Sequence, residues 1–206
     1  MAHTALMIID MQEGMRSDRL PPRNNPHAEQ NMLALLAAWR GRGDPIVHVR
    51  HLSRAPASVF YPGQNGAVFQ APFTPLEDEH VVDKNVPDAF IQSGLERWLH
   101  VRGIRAVVIV GVSTNHSVES TARSAGNLGF ITTVVADATF AFAQNDYGGT
   151  PRSADEVHLM SLANLQREYA TVCSTVDVQC NFTRPVSDPS TRRPAADNAS
   201  KPLPIK

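Results

Sequence analysis

The chain has 206 residues, 42% hydrophobic and 19% charged, a balance that suits one globular domain with a substantial core and leaves no room for a second full domain. Its formal charge of −1, with no basic block longer than a dipeptide, removes the electrostatic case for nucleic acid or an anionic membrane as partner and points to a small-molecule substrate. No apolar run approaches the roughly 20 residues of a membrane span, no basic and apolar leader opens the chain, and Cys173 and Cys180 lack metal-ligand spacing, so a cytoplasmic protein without disulfides is expected.

Residues 4–10, TALMIID, form a continuous apolar run closed by an acid, the pattern of a strand buried on both faces and ending at a carboxylate. Gly14, the Pro21-Pro22 pair and Asn24-Asn25 make residues 11–26 a surface loop able to cover a site. Met32, Leu33, Leu35, Leu36 and Trp39 recur at helical spacing over residues 27–42, and Gly41 with Gly43 ends the pattern. Residues 45–50, PIVHVR, read as the second strand. Residues 51–75, with four prolines and two glycines, read as a long lid-like loop. Val81 and Val82 lead to Lys84 near a strand end, and residues 87–99 have helical apolar spacing. After a turn around Gly103, residues 106–111 are the most apolar run, hence a central strand.

That strand feeds the stretch around which the chain is organised, residues 111–123, GVSTNHSVESTAR. Gly111 permits a sharp turn. Thr114 or Asn115 can cap a helix whose apolar residues are Val118, Ala122, Ala125 and Leu128. Ser117 then sits in the first helical turn, where outward N–H groups stabilise a nearby anion or a developing oxyanion. Residues 130–137 form a further strand ending in an acid, and residues 138–152 a loop. Ser153-x-x-Glu156 resembles a capping box for a helix over 154–169 that buries Val157, Met160, Leu162 and Leu165. Residues 170–174 give the last strand. From about 176 the composition turns to Pro, Ser, Asp, Asn and Arg, which places the domain at 1–178 and a flexible tail at 179–206.

Alternating strands and helices imply an α/β fold, a mainly parallel sheet with helices on both faces, and in such sheets ligands bind beyond the carboxyl ends of the strands. Asp10, Lys84 and Ser117 all fall at such ends. They suit a hydrolase in which Ser117 attacks, Asp10 accepts its proton, Lys84 orients the acid, and the backbone amides of Ser113 and Ser117 hold the oxyanion. The same residue types also suit plain structural roles: Asp10 capping a turn, Lys84 at the surface and Ser117 opening a helix.

Three blocks occur in order: ALMIIDMQ around Asp10, DKNVPDAF around Lys84 and GVSTNHSVESTARSAGNLGF from Gly111, followed by Asp146-Tyr147-Gly148-Gly149 and Ser153-Ala154. In these the chain resembles the isochorismatase-like cysteine hydrolases, a superfamily of nicotinamidases, N-carbamoylsarcosine amidohydrolases, ureidoacrylate amidohydrolases and isochorismatases. The resemblance implies a Rossmann-like three-layer α/β/α fold with about six strands and a triad of Asp10, Lys84 and a cysteine at position 117. It also implies a cis peptide at Val112-Ser113, an oxyanion hole from the neighbouring amides, no cofactor and a homo-oligomer, dimer or tetramer. The expected reaction is hydrolysis of a non-peptide C–N bond in a small amide, carbamoyl or ureido compound.

The family's nucleophilic cysteine falls on Ser117. A hydroxyl is far harder to deprotonate than a thiol, so amide hydrolysis is expected to be slow or undetectable. Three explanations compete: a deliberate cysteine-to-serine replacement that traps substrate, a natural serine variant, or a member needing no covalent nucleophile. The amidase pattern flanking position 117 favours the first. Two other readings stay open: a vinyl ether hydrolase of isochorismatase type in which Asp10 is the acid, and a non-catalytic binding protein. Gln12, Met15, Phe60 and His116 are candidate pocket residues, although His116 suits an exposed helix start equally. Tyr61, Phe69 and Phe73 serve as a lid or as anchors. His48 and His51 beside Asp10 invite a metal, but the Asp-x-His-x-x-His pattern of metal-binding relatives is missing, so no metal is expected and His48 is read as packed in its strand. Arg123 is read as a structural ion-pair residue.

Overall fold

The two most apolar runs of the sequence lie side by side in the middle of one sheet. In the computed structural model, which describes residues 4–183, the chain runs β1 (Thr4–Ile9), α1 (Ala28–Arg42), β2 (Ile46–His51), β3 (His80–Lys84), α2 (Leu95–Val101), β4 (Ala106–Val112), α3 (Glu119–Asn127) and β5 (Ile131–Phe140). A small ribbon of β6 (Gln144–Asn145) and β7 (Pro151–Arg152), then α4 (Ala154–Leu165), β8 (Thr171–Cys173) and α5 (Thr175–Thr183) complete it. Six strands pair in parallel in the order β3-β2-β1-β4-β5-β8.

Both faces of this sheet are covered, which is why its central strands read as unbroken apolar runs rather than alternating ones. Ala5, Met7 and Ile9 of β1 pack with Leu95 and Leu99 of α2, Ala122 and Ala125 of α3, and Leu162 and Leu165 of α4. Leu6 and Ile8 face the other way, onto Met32, Leu35, Leu36 and Trp39 of α1 and Val178 of α5. Each such fully buried side chain contributes about 1.5–3 kcal/mol over leaving it exposed. Trp39 also donates its indole N–H to the Thr4 carbonyl at 2.9 Å, tying α1 to the start of β1. Gly43, at φ 64°, ends α1 in the left-handed conformation that glycine tolerates best. At the far end of the sheet β1 and β4 approach so closely that a Cβ on Gly111 would lie 2.2 Å from the Ile9 carbonyl oxygen.

Several expectations are corrected. The helix expected over 87–99 starts only at Leu95, because Gln92 and Gly94 both adopt positive φ and Ser93 spends its hydroxyl on the Ala89 carbonyl and the Leu95 amide. The irregular stretch before it is fastened to α3 by Asp88 to Ser124 and by the Ala89 amide to Thr121. The strand expected to stop at Asp137 continues to Phe140 through an irregularity: β4 advances from Ile109 to Gly111 while its partners on β5 advance from Val134 to Thr139. Asn25 fills that irregularity, donating to the carbonyls of Ala136 and Thr139 at 2.9 and 2.7 Å. Asp137 turns away to accept the Thr175 amide and hydroxyl at the start of α5.

That helix crosses the boundary expected at 178; buried Val178 and the Asp137 cap supply what composition alone did not reveal. The remainder of the expected tail, from residue 184, lies outside the described residues. The capping box of α4 forms, with Ser153 Oγ accepting the Glu156 amide at 3.2 Å and Glu156 accepting the Ser153 amide at 2.8 Å. Met160, expected among the buried residues of α4, is 65% exposed. Among the described residues no helix is long and apolar enough to cross a membrane.

Candidate active site

The strand order reverses between β1, whose other neighbour is β2, and β4, whose other neighbour is β5. A crevice opens beyond the carboxyl ends at such a point. Asp10 leaves β1 there at φ 52°, a conformation uncommon outside glycine. Its amide donates to the Val49 carbonyl at 2.9 Å, which keeps it at the sheet edge. On the β4 side Ser117 lies in a π-helical turn, Thr114–Val118, that precedes α3. This corrects the expected α-helical start capped by Thr114 or Asn115. The Ser113 carbonyl accepts both the His116 and Val118 amides, Asn115 Oδ1 accepts the Ser113 hydroxyl, and Thr114 Oγ1 lies 2.9 Å from Nδ1 of buried His158. π-turns of this kind occur frequently at functional sites. The Val112-Ser113 peptide is cis.

Lys84 ends β3, two strands from β1, and pairs with His51 in the sheet register. Its side chain crosses the end of β2, donating to Asp10 Oδ2 at 2.7 Å and to Ser117 Oγ at 3.1 Å. All three residues are buried, with exposures of 1% for Asp10, 3% for Lys84 and 8% for Ser117. Asp10 Oδ1 is buried too and has no hydrogen-bond partner among the described residues. The carboxylate therefore has one oxygen committed to the lysine and one available to take a proton. Burial, then the nearby Lys84 charge, lowers the pKa of His51 below the usual imidazole value, which disfavours a second cation beside the pair.

In front of Ser117 lies a cavity of about 360 Å³. Ser113, Asn115, His116 and Gln144 form its polar side, and Met15, Leu20, Pro21, Phe60 and Phe142 its apolar side. The fold thus gathers Asp10, Lys84 and Ser117 at one point and sets Met15, Phe60 and His116 on the wall. Phe60 seats against Gly14, where a Cβ would come within 2.6 Å of a ring carbon.

Gln12 is placed otherwise than expected. It is fully buried and holds the long loop: Nε2 donates to the His51 and Ala67 carbonyls, both at 2.9 Å, and Oε1 accepts the His51 amide at 2.8 Å. Gln70 closes the arrangement by donating to the Gln12 carbonyl at 3.0 Å. Phe73 anchors the same loop in the core, and Phe69 stands edge-on to His48. Tyr61 lines a second hollow with Leu52, Pro62 and Lys84. Leu20, Pro21, Phe142 and Gln144 were not anticipated on the wall. They arrive because two loops distant in sequence are zipped together, the Ala143 amide to the Pro22 carbonyl and the Ala141 amide to Asn24 Oδ1, each at 2.8 Å. The Pro21-Pro22 pair marks the first loop and residues 138–152 read as the second, but nothing local shows that the two meet.

The remaining candidates have structural duties. His48 is buried inside β2 with Nε2 donating to Glu79 at 2.8 Å. Burial alone would raise the Glu79 carboxyl, but hydrogen bonds from Arg40, the Leu76 amide and His48 outweigh it and hold the pKa at about 2. No group of three His, Cys, Asp or Glu side chains among the described residues is arranged to hold a metal ion. Arg123 pairs with Glu119 at 2.6 Å and lies over the Tyr169 ring. Burial, helped by Asp177 and Asp137, pushes the Cys173 thiol up to about 11, so it offers little thiolate at neutral pH.

The arrangement has counterparts among known proteins. A crystal structure from Chromobacterium violaceum assigned to the isochorismatase family superposes with a TM-score of 0.84 at 46% identity, covering 86% of this chain and 92% of that one. The isochorismatase family protein YrdC of Bacillus subtilis is 37% identical over 180 residues, 87% of this chain and 96% of its own length. Nicotinamidase 3 of Arabidopsis thaliana is 29% identical over 179 residues, 81% of this chain and 82% of its own. The family model for the isochorismatase domain matches residues 4–177, from the first residue of β1 into α5. With Asp10, Lys84 and Ser117 all inside that span, the chain belongs to the isochorismatase family of hydrolases.

Proposed function

We propose that the chain is built to hydrolyse a non-peptide C–N bond in a small amide, carbamoyl or ureido compound. The observation that carries this reading is Lys84 Nζ, held between Asp10 Oδ2 at 2.7 Å and Ser117 Oγ at 3.1 Å, with Ser117 lining a cavity. The nucleophile at position 117 attacks the carbonyl carbon, its proton passing to Asp10, and the amides of Ser113 and Ser117 receive the oxyanion. The C–N bond then breaks, the leaving nitrogen takes the proton from Asp10, and water releases the acyl group as a carboxylic acid. A relative named as a nicotinamidase is in keeping with this class of reaction.

Serine weakens the first step. The Ser117 oxygen accepts a hydrogen bond from the lysine, and among the described residues it has no direct hydrogen bond to Asp10, so nothing in the resting geometry draws off its proton. The site is thus organised for a group that ionises more easily, and the serine form is the slow or substrate-holding form. The test is ammonia release by the chain and by Ser117→Cys from a panel of small amides, carbamoyl compounds and ureides. Release by the variant, and little or none by the serine form, is the expected result. Inactivity of both on every compound overturns the amidase reading and favours a vinyl ether substrate or simple binding.

A further inference from the structure

The side chains lining the cavity before Ser117 include no Asp, Glu, Lys or Arg: Leu20, Phe60, Phe142 and Met15 are joined there by His116 and by the amides of Asn115 and Gln144. Behind Ser117, Lys84 is matched by Asp10, so the pair adds no net charge. Two cations close to the lining residues are engaged elsewhere. Arg23 is held by Glu29 and lies over the Phe140 ring, and Arg152 is held by Asp146 at 2.6 Å. Arg19, exposed beside Leu20, stands outside the lining. At about 360 Å³ the cavity lies at the small end of the roughly 300–1,000 Å³ typical of ligand sites.

We infer that the substrate is an uncharged small amide whose body is apolar, a ring or short hydrocarbon carrying the reactive carbonyl, and that the pocket selects against carboxylated amides and carbamoyl amino acids. This rests on the amidase reading above and narrows it. With the Ser113 and Ser117 amides taken up by the reactive carbonyl, a carboxylate elsewhere on the substrate gives up water and meets no lysine or arginine in the lining, and an uncompensated charge is costly to desolvate. A flat apolar body instead buries its surface against Phe60, Phe142 and Leu20, while the Asn115 and Gln144 side chains can orient an amide N–H₂ or a ring heteroatom.

The test separates binding from chemistry. Calorimetric titration of the serine protein at pH 8, where imidazole is ordinarily neutral, uses benzamide, 4-nitrobenzamide and 4-carboxybenzamide, the last two matched in shape and differing in charge. Ammonia release from the same compounds by Ser117→Cys runs in parallel. The expected result is binding of benzamide and 4-nitrobenzamide with 4-carboxybenzamide at least about tenfold weaker, the order that an unpaired carboxylate dictates. Equal or tighter binding of the carboxylate overturns the inference, as does failure of all three to bind at millimolar concentration. If the neutral amides bind selectively but the variant releases no ammonia from them, the charge selection stands and the hydrolytic reading falls.

Discussion

Replacing Lys84 by methionine keeps the unbranched stem of the side chain and removes its charged end. Asp10 is then left 1% exposed, with Oδ1 already unpartnered and Oδ2 stripped of the 2.7 Å bond from Nζ. Breaking a buried ion pair by deleting one partner costs about 3–5 kcal/mol, most of it the penalty of the stranded charge. In a domain of this size 1 kcal/mol moves the melting temperature by about 2–4 °C, so Lys84→Met should melt about 6–20 °C below the parent at pH 7. The double variant Asp10→Asn with Lys84→Met removes the stranded carboxylate and should recover much of that loss, a non-additivity diagnostic of direct coupling. Calorimetric melting of the four proteins in the cycle is the assay. A single variant within about 2 °C of the parent, or a double variant no better than the single, would show that Asp10 and Lys84 are not the buried charged pair described here.

Three further perturbations have defined outcomes. Gln12→Leu leaves the carbonyls of His51 and Ala67 and the amide of His51 without their partner, at about 1–3 kcal/mol for each group that stays buried; proteolysis should then cut within residues 51–75 while the sheet stays intact, and unchanged resistance would refute the fastening role. Gly111→Ala must place a Cβ against the Ile9 carbonyl at a φ of 121° and should lose at least about 1–3 kcal/mol in urea unfolding, whereas a neutral result would mean the β1 and β4 ends can separate freely. Glu79, held at about 2 against an ordinary 4.5, has a depressed folded pKa, so its contribution is present above pH 4.5 and is lost as the pH falls towards 2. Glu79→Gln should therefore show a shallower decline in melting temperature across that window than the parent, and equal slopes would sink the assignment.

The parallel sheet was legible in the sequence because TALMIID and the run from Ala106 are apolar on both faces, a pattern few other environments require. The three residues at the strand ends were legible for the same reason: a strand's end is visible where an apolar run stops. What local pattern could not show is what depends on pairing between distant segments. Asn25 filling the irregularity of β5, Asp137 capping α5, and Phe142 reaching the pocket all rest on contacts across more than 30 positions of sequence. Gln12 was misread for a related reason, since adjacency to Asp10 suggests a ligand contact, yet a buried amide is also the group best able to satisfy loop carbonyls. The π-turn at Ser117 escaped notice because capping residues read the same before an α-helix and before a wider first turn.

The Gln12 bonds hold the long loop that carries Phe60, and the bond between Pro22 and Ala143 joins the two segments that carry Leu20 and Phe142. Walls fastened in this way resist widening. Capture is then a matter of diffusion and fit, with an association rate that responds to the size of the entering molecule more than to solvent viscosity acting on a moving segment. On the proposed reading hydrolysis turns a neutral amide into a carboxylate, and the side chains lining the cavity offer that product no lysine or arginine to hold it.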